Sequence, residues 1–504
     1  MRRRSLKKRK TGFRWALLSL GLAFFLASLL LGLRELRRFQ AEPALIPAGT
    51  TLGGVPVGRL SLESAKQRLL EAFAVPVELH YLDARIQFSP SDLGFNLDAD
   101  ASLAQIPLVR GSGSWWDFIW NKKLQNSVLE YELIYSLDEV KMQSILEDTF
   151  SLRYNQPASA PVPVLYSTNF LPGQPGYGLS SFTQTLEQVK RALLSPTDRI
   201  LELRVTEQTA LPLDWQNLES MLKQIILLDK FDGLAEVYLR DLQSDQMLHF
   251  AVLDHQPVPV DVAYSAASTI KIPIMLSTLR RVSEPIPQQA NNWMQQMIAE
   301  SLNPPADGLM KAYLDNNRGP LMVTADLREL GYQNTFLAGY FEPGSPLLER
   351  ITTPANSRTD INLDPDFYNQ TVPSEAGDLL ARIYACANSE TQTGLFNSEV
   401  TPTECSLMIE YLKQNKILAL LEAGLPPNTP IAHKHGWTNE LDGLIHTMSD
   451  TALIFTPGGD YVLAIFAHTP EQFLYDPANR LFARLSQSIY NAYNPENQAY
   501  WYEN

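Results

Sequence analysis

The rhythm of apolar and polar positions divides this chain into stretches of different kind. From Trp15 to Leu33 there is an uncharged, Leu-rich run of 19 residues, close to the about 20 that a helix needs to cross a bilayer. Arg2, Arg3, Arg4, Lys7, Lys8, Arg9, Lys10 and Arg14 precede it, against Arg34, Arg37 and Arg38 after it. That bias keeps the amino end in the cytoplasm and sends the rest of the chain outside. A cleaved signal peptide is the rival reading, and Arg3-Arg4-Ser5-Leu6-Lys7 has a weak twin-arginine flavour. The run exceeds a usual signal core and no clean Ala-x-Ala follows, so an uncleaved anchor is expected.

Beyond it, Leu62 to Phe73 has helical spacing and Val77 to Leu82 reads as a short strand. Leu234 to Arg240 and Met247 to Leu253 read as two strands joined by a polar turn at Ser244-Asp245. Ile272 to Met275 continues an apolar helix begun near Ser268. Thr451 to Thr456 and Tyr461 to Ala467 form a hairpin around Pro457-Gly458-Gly459-Asp460, and Arg480 to Tyr493 is a last amphipathic helix.

At 504 residues the chain suggests two or three domains. The expected division is a basic cytoplasmic tail over 1–14, the anchor over 15–33, a linker over 34–44, a front module over 45–213 and a second domain over 214–504. Beyond residue 38 there are 30 basic against 54 acidic residues, a net charge of −24 that disfavours nucleic acid and anionic polymers. Nothing resembles a phosphate-binding glycine loop or a zinc-spaced Cys/His cluster, so no cofactor or metal is expected. Two cysteines, Cys386 and Cys405, are compatible with a disulfide between neighbouring helices in an oxidising exterior, or with two buried thiols.

The front module carries a degenerate repeat. Phe88-x-Pro90-x-x-x-Gly94-Phe95-x-Leu97 recurs as Phe170-x-Pro172-x-x-x-Gly176-Tyr177-x-Leu179, each copy following a short strand (Val77 to Leu82, Val162 to Tyr166) and preceding a helix. With the lead-in Gly53-Gly54-Val55-Pro56-Val57-Gly58-Arg59-Leu60-Ser61, this stretch resembles the peptidoglycan-binding modules found ahead of L,D-transpeptidase and vancomycin-resistance accessory domains. An inert stalk is the plainer alternative. Trp115, Trp116 and Trp120 offer rings for stacking on sugars, or for core or membrane-proximal packing.

The candidate chemistry lies in three short motifs in fixed order: Ser268-Thr269-Ile270-Lys271, Ser301-Leu302-Asn303 and Lys434-His435-Gly436. Each alone is weak, since Ser-x-x-Lys also occurs at Ser220 to Lys223 and Lys-Thr-Gly at Lys10 to Gly12. Together they can assemble an acyl-transfer site. Serine needs a partner to take its proton, and a lysine three residues on returns to the same helix face. Lys271 is a base only when neutral, and burial with a second cation, Lys434, pushes its pKa down. Ser301 would relay the proton, and Asn303 would hold Lys271 and the substrate amide.

This ordered set resembles the penicillin-recognising serine enzymes, the class A β-lactamases and DD-peptidases. The resemblance covers residues from about Asp214 onward. It implies an α+β fold, an antiparallel sheet flanked by helices with an all-helical half inserted. It also implies that Lys434, His435, Gly436 and Trp437 bind the substrate, Lys434 and His435 at its carboxylate, and that the N–H groups of Ser268 and Trp437 form an oxyanion hole. Three departures stand out. Leu302 replaces the usual Asp, and the middle motif lies unusually close to Ser268. His435 replaces Thr or Ser. The loop between Leu337 and Thr371 lacks the Glu-x-Asn that activates the deacylating water, leaving Asp360, Asp364 and Asp366 as candidate substitutes.

Two functions therefore compete. One is a membrane-anchored extracytoplasmic serine hydrolase or transferase acting on a β-lactam or a peptidoglycan stem peptide at the bacterial cell wall. The other is a catalytically silent wall-binding protein that keeps the fold for recognition.

Overall fold

The computed structural model of the chain describes residues 10–110, 114–120, 128–440 and 442–500. Residues 1–9 of the expected cytoplasmic tail lie outside them. The chain divides into two compact units, residues 1–158 with 175–209, and residues 159–174 with 210–504.

In the first unit, helix Lys10–Ala41 is the one helix, among the described residues, long and apolar enough to cross a membrane. It does not stop at Leu33. The expected linker continues it, because Leu-Arg-Glu-Leu-Arg-Arg-Phe contains only residues that tolerate a helix, and Pro43 then bars further helical backbone. Helix Leu62–Ala74 is capped by Ser61, whose side chain accepts from Ser64 N, and buries Ala65, Leu69 and Phe73 on one stripe. It packs over Val77–Tyr81, which pairs antiparallel with Ala84–Phe88 and parallel with Ile200–Glu202.

The two copies of the repeat are not equivalent in backbone. Gly94 is left-handed (φ 78°), whereas Gly176 opens the extended strand Gly176–Leu179, and Val162 to Tyr166 yields only the two-residue strand Val162–Pro163. The second copy is also split between the units. Residues 159–174 fold with the second, where Phe170 is buried beside Leu218 and Phe482, and Asn491 Nδ2 donates to Thr168 O and Asn169 Oδ1.

The second unit is built on a six-stranded antiparallel sheet in the order Gln256–Val258, Met247–Leu253, Leu234–Asp241, Tyr461–His468, Thr447–Ile454, Ile431–Trp437. Both faces are covered, so the central strands read as continuous apolar runs. Alternation sorts their side chains. Ala235, Val237, Leu239, Leu463 and Ile465 pack under helices Trp215–Leu228 and Tyr475–Tyr493. Leu234, Tyr238, Val462, Ala464 and Phe466 face helices Lys271–Leu279 and Pro373–Ala387. A disulfide joins Cys386 to Cys405 with Cα atoms 6.0 Å apart, tying Pro373–Ala387 to Pro402–Leu412. Strand Ile431–Trp437 lies at the sheet edge, which leaves its outer side free to border a site.

Candidate active site

Three segments converge on one cluster, in which Lys271 and Lys434 are buried, Ser268 and Ser301 half-buried and Asn303 exposed. Tyr264–Ser265 pairs with Asn369–Thr371, and Ala267–Ile270 then makes a 3-10 turn that runs into helix Lys271–Leu279. Ala267 sits in the left-handed region (φ 47°), a conformation that costs a residue with a Cβ about 1–2 kcal/mol and that turns the chain so that Ser268 faces the cluster. Lys271 Nζ, on a fully buried side chain, lies 3.0 Å from Ser268 Oγ, 2.6 Å from Ser301 O and 2.8 Å from Asn303 Oδ1. Carbonyl and amide oxygens can only accept. A neutral Lys271 therefore spends its two N–H groups on Ser301 and Asn303, and its lone pair is left for the Ser268 hydroxyl proton.

Ser301 is also left-handed (φ 57°), and its hydroxyl accepts from Lys434 Nζ at 2.8 Å. Strain of this kind is held where surrounding structure over-determines it. Gly436 permits the close approach of the edge strand. A Cβ there would meet Ala266 O at 2.8 Å and Ser449 Oγ at 2.9 Å, so any side chain would push the strand away from the Ser268 turn.

The electrostatics follow from burial. Desolvation first, then the Lys434 charge, push Lys271 down to about 7, while Asp307 acts the other way. Burial also brings Lys434 down to about 7, opposed by Asp450. Such a pair releases its two protons in coupled steps, and the arrangement suited to acyl transfer is a neutral Lys271 beside a charged Lys434.

His435 departs from expectation. Alternation along the edge strand places it with His433, away from Lys434, and Asn415 Nδ2 lies 3.1 Å from both His433 Nε2 and His435 Nδ1. Burial, with the Lys434, His433 and Lys271 charges, pushes His435 down to about 2, so it stays neutral and stacks on Trp437 at 4.4 Å. Burial opposes a charge on His433, but Asp450 at 3.0 Å outweighs it and lifts His433 to about 9.

The loop carboxylates are dispersed. Asp360 is gripped by Arg358 through two hydrogen bonds of 2.9 and 2.6 Å, which hold it down to about 2. Asp366 accepts from Tyr368 N and Asn369 Nδ2, and burial raises it. Asp364 is exposed on a cleft of about 750 Å³ that Ser265, Asp366, Thr438, Glu440 and His446 also line. None of the three bonds to Ser268, Lys271, Ser301, Asn303 or Lys434. The part of the loop that reaches the cluster is Phe341, whose ring centroid is 5.4 Å from Lys271 Nζ. Asp307 holds it there by accepting from Phe341 N at 2.9 Å and Glu342 N at 2.8 Å. The Glu342 carboxylate pairs with Lys311 at 2.8 Å.

Asp307, Phe341, Asn415 and Asp450 were not expected from the sequence. A carboxylate four residues after Asn303, on the same helix face, is the one local signal that could have been read for Asp307. The decoy Ser220 donates to Gln216 O and Lys223 pairs with Glu219, as ordinary helix surface. Glu236, His249 and Asp261 have ligand-type atoms within 4.8 Å of one another. Glu236 is already occupied by His249 Nε2 and the N–H groups of Asp261 and Val262, and Asp261 by the Ser374 hydroxyl, so hydrogen bonds alone account for this group.

The sheet and the helices beside it carry this Ser–Lys–Ser–Lys cluster, and part of this unit is similar to a known family. The model of the "Beta-lactamase enzyme family" matches residues 289–493, a span that includes Ser301, Asn303 and Lys434 and begins after Lys271. Among solved structures, PBP-A is similar at 19% identity and a TM-score of 0.40, over 57% of this chain and 99% of its own. An ancestral class A β-lactamase is similar at 20% identity and 0.39, over 54% and 98%. A β-lactamase from Xanthomonas campestris pv. campestris is similar at 16% identity and 0.40, over 55% and 98%. No curated protein sequence matches the chain.

Proposed function

We propose that the second unit is a serine acyl-enzyme, a hydrolase or transferase that opens a β-lactam or a peptidoglycan stem-peptide amide through an ester on Ser268. Helix Lys10–Ala41 would anchor it to the cell membrane with the catalytic domain outside, and the first unit would serve as a wall-binding module or spacer. The observation that carries the reading is the 3.0 Å contact of Lys271 Nζ with Ser268 Oγ in a cluster that leaves the lysine lone pair for the serine. Lys271 takes the proton as Oγ attacks. Ser301, between the two lysines, passes a proton to the departing nitrogen. The N–H groups of Ser268 and Trp437 receive the oxyanion. Incubation of the purified protein with a penicillin should give one covalent adduct by intact mass, absent from Ser268→Ala. No adduct at millimolar drug would overturn the reading.

Lys434, buried, is in its charged form the group suited to a substrate carboxylate. Lys434→Ala should weaken acylation by a carboxylate-bearing penicillin far more than by its methyl ester, by about 1.5–3 kcal/mol, the worth of a charge-assisted hydrogen bond. Equal losses for acid and ester would remove Lys434 from that role. His435, neutral and stacked, should add no titration of its own near pH 6.5, its ordinary range.

A further inference from the structure

We propose that the short helix Trp115–Ile119, with Trp120 after it, is a membrane-interface element that lies among lipid headgroups beside the anchor. The inference rests on reading Lys10–Ala41 as membrane-spanning. Two faces of this element behave differently. Trp115 and Phe118 pack on the anchor helix, with ring centroids 5.5 and 5.4 Å from that of Phe39, and stack on each other at 5.8 Å. Trp116, Ile119 and Trp120, spaced i, i+3, i+4, are left 65%, 45% and 76% exposed. A helix apolar on both sides, one of them open, is out of place in water.

Its height on the anchor says what covers it. The anchor helix runs unbroken through residue 41, so Phe39, six residues past Leu33, stands about 9 Å beyond the apolar run. The headgroup zone is about 5–8 Å deep on each side of the hydrocarbon. Trp115 and Phe118, within 5.5 Å of the Phe39 ring, therefore stand at the outer edge of that zone. Tryptophan favours this layer, where an apolar ring and a polar N–H are both accommodated. Arg34 and Arg37, exposed on the same stretch of the anchor, are placed to meet lipid phosphates and fix its depth, while Arg38 pairs with Glu35 at 3.2 Å.

The full chain in vesicles of phosphatidylcholine and phosphatidylglycerol tests this. An environment-sensitive fluorophore is attached singly at Trp116→Cys, Trp120→Cys, Leu26→Cys in mid-anchor and Ser220→Cys on the exposed helix surface of the second unit. The native cysteines are joined to each other, leaving one reactive thiol in each variant. Emission at positions 116 and 120 should be blue-shifted from that at 220. It should be quenched several-fold more by a nitroxide near the headgroup than by one deep in the acyl chain, with the order reversed at position 26. Water-like emission at 116 and 120, quenched by iodide while position 26 remains lipid-quenched, overturns the interface element and leaves the anchor standing. A blue shift without lipid quenching means that a second copy or another part of the protein covers the face, and also overturns it. So does a water-like signal that shifts only when soluble peptidoglycan glycans are added. A water-exposed position 26 would remove the anchor reading and this inference with it.

Discussion

Acylation of Ser268 by a penicillin is expected to speed up as pH rises through about 7, and to fall by about 100- to 10,000-fold when Lys271 is replaced by Met, the usual contribution of a general base. Burial and the neighbouring Lys434 depress Lys271 to about 7. Below that pH the amine is protonated and cannot accept the Ser268 proton. Above it the lone pair is available, and because Lys434 is also brought to about 7 the rate rises with the share of molecules that hold a neutral Lys271 beside a charged Lys434. The charge on Lys434 supplies part of the depression. Lys434→Ala should therefore move the acid limb to higher pH, besides weakening carboxylate binding, because Lys271 then recovers toward the ordinary lysine value. A substrate carboxylate near Lys434 keeps that amine charged, and so preserves the productive microstate, a neutral Lys271 beside a charged Lys434. Rates measured across pH 5 to 9 with one penicillin and the three proteins decide the matter. A flat profile would show that Lys271 is not the base, and a limb that Lys434→Ala leaves in place would show that burial alone depresses Lys271.

How much of this was legible beforehand depends on whether the signal is local. Ser268 to Lys271 is one helical turn, and Leu234 to Asp241 and Tyr461 to His468 announce themselves by apolar runs and the turns between them. The edge position of Ile431–Trp437 could not be read that way, because strand order is set by packing partners far off in sequence. Asp307 and Phe341 are brought to Lys271 by backbone N–H groups of a loop more than thirty residues downstream. An ordinary imidazole could carry a charge, and the burial of His435 and its neighbours Lys434, His433 and Lys271, which disfavour that charge, arise only on folding. The boundary at residue 213 missed residues 159–174, whose two-residue strands have no periodicity to detect. Helix Lys10–Ala41 outruns the apolar span for the opposite reason. Its apolar pattern ends at Leu33, but its helix-forming residues continue to Ala41.

Deacylation is expected to lag far behind acylation, so that a chromogenic cephalosporin gives a burst of about one equivalent followed by slow release. Attack by Ser268 draws on groups already in contact, whereas hydrolysis of the ester needs a second base aimed at a water. The loop offers none in place. Asp360 is committed to Arg358, Asp366 to Tyr368 N and Asn369, and Asp364 has no bond to the cluster. The residue that does reach Lys271 is Phe341, which presents a ring and not a carboxylate, and the adjacent Glu342 is paired outward with Lys311. Lacking a base costs about 100- to 10,000-fold, which would place turnover well below the usual enzymatic range of about 1 to 1,000 per second. The adduct should then persist for minutes by intact mass. Stopped-flow traces that show steady turnover within that range and no burst would overturn this expectation. In that event a loop carboxylate must have reached the ester, and comparison of Asp360→Asn, Asp364→Asn, Asp366→Asn and Glu342→Gln would identify it as the one whose loss traps the acyl-enzyme. Glu342 would be the first to test, because breaking its exposed pair with Lys311 is the smallest change that frees a carboxylate beside Phe341.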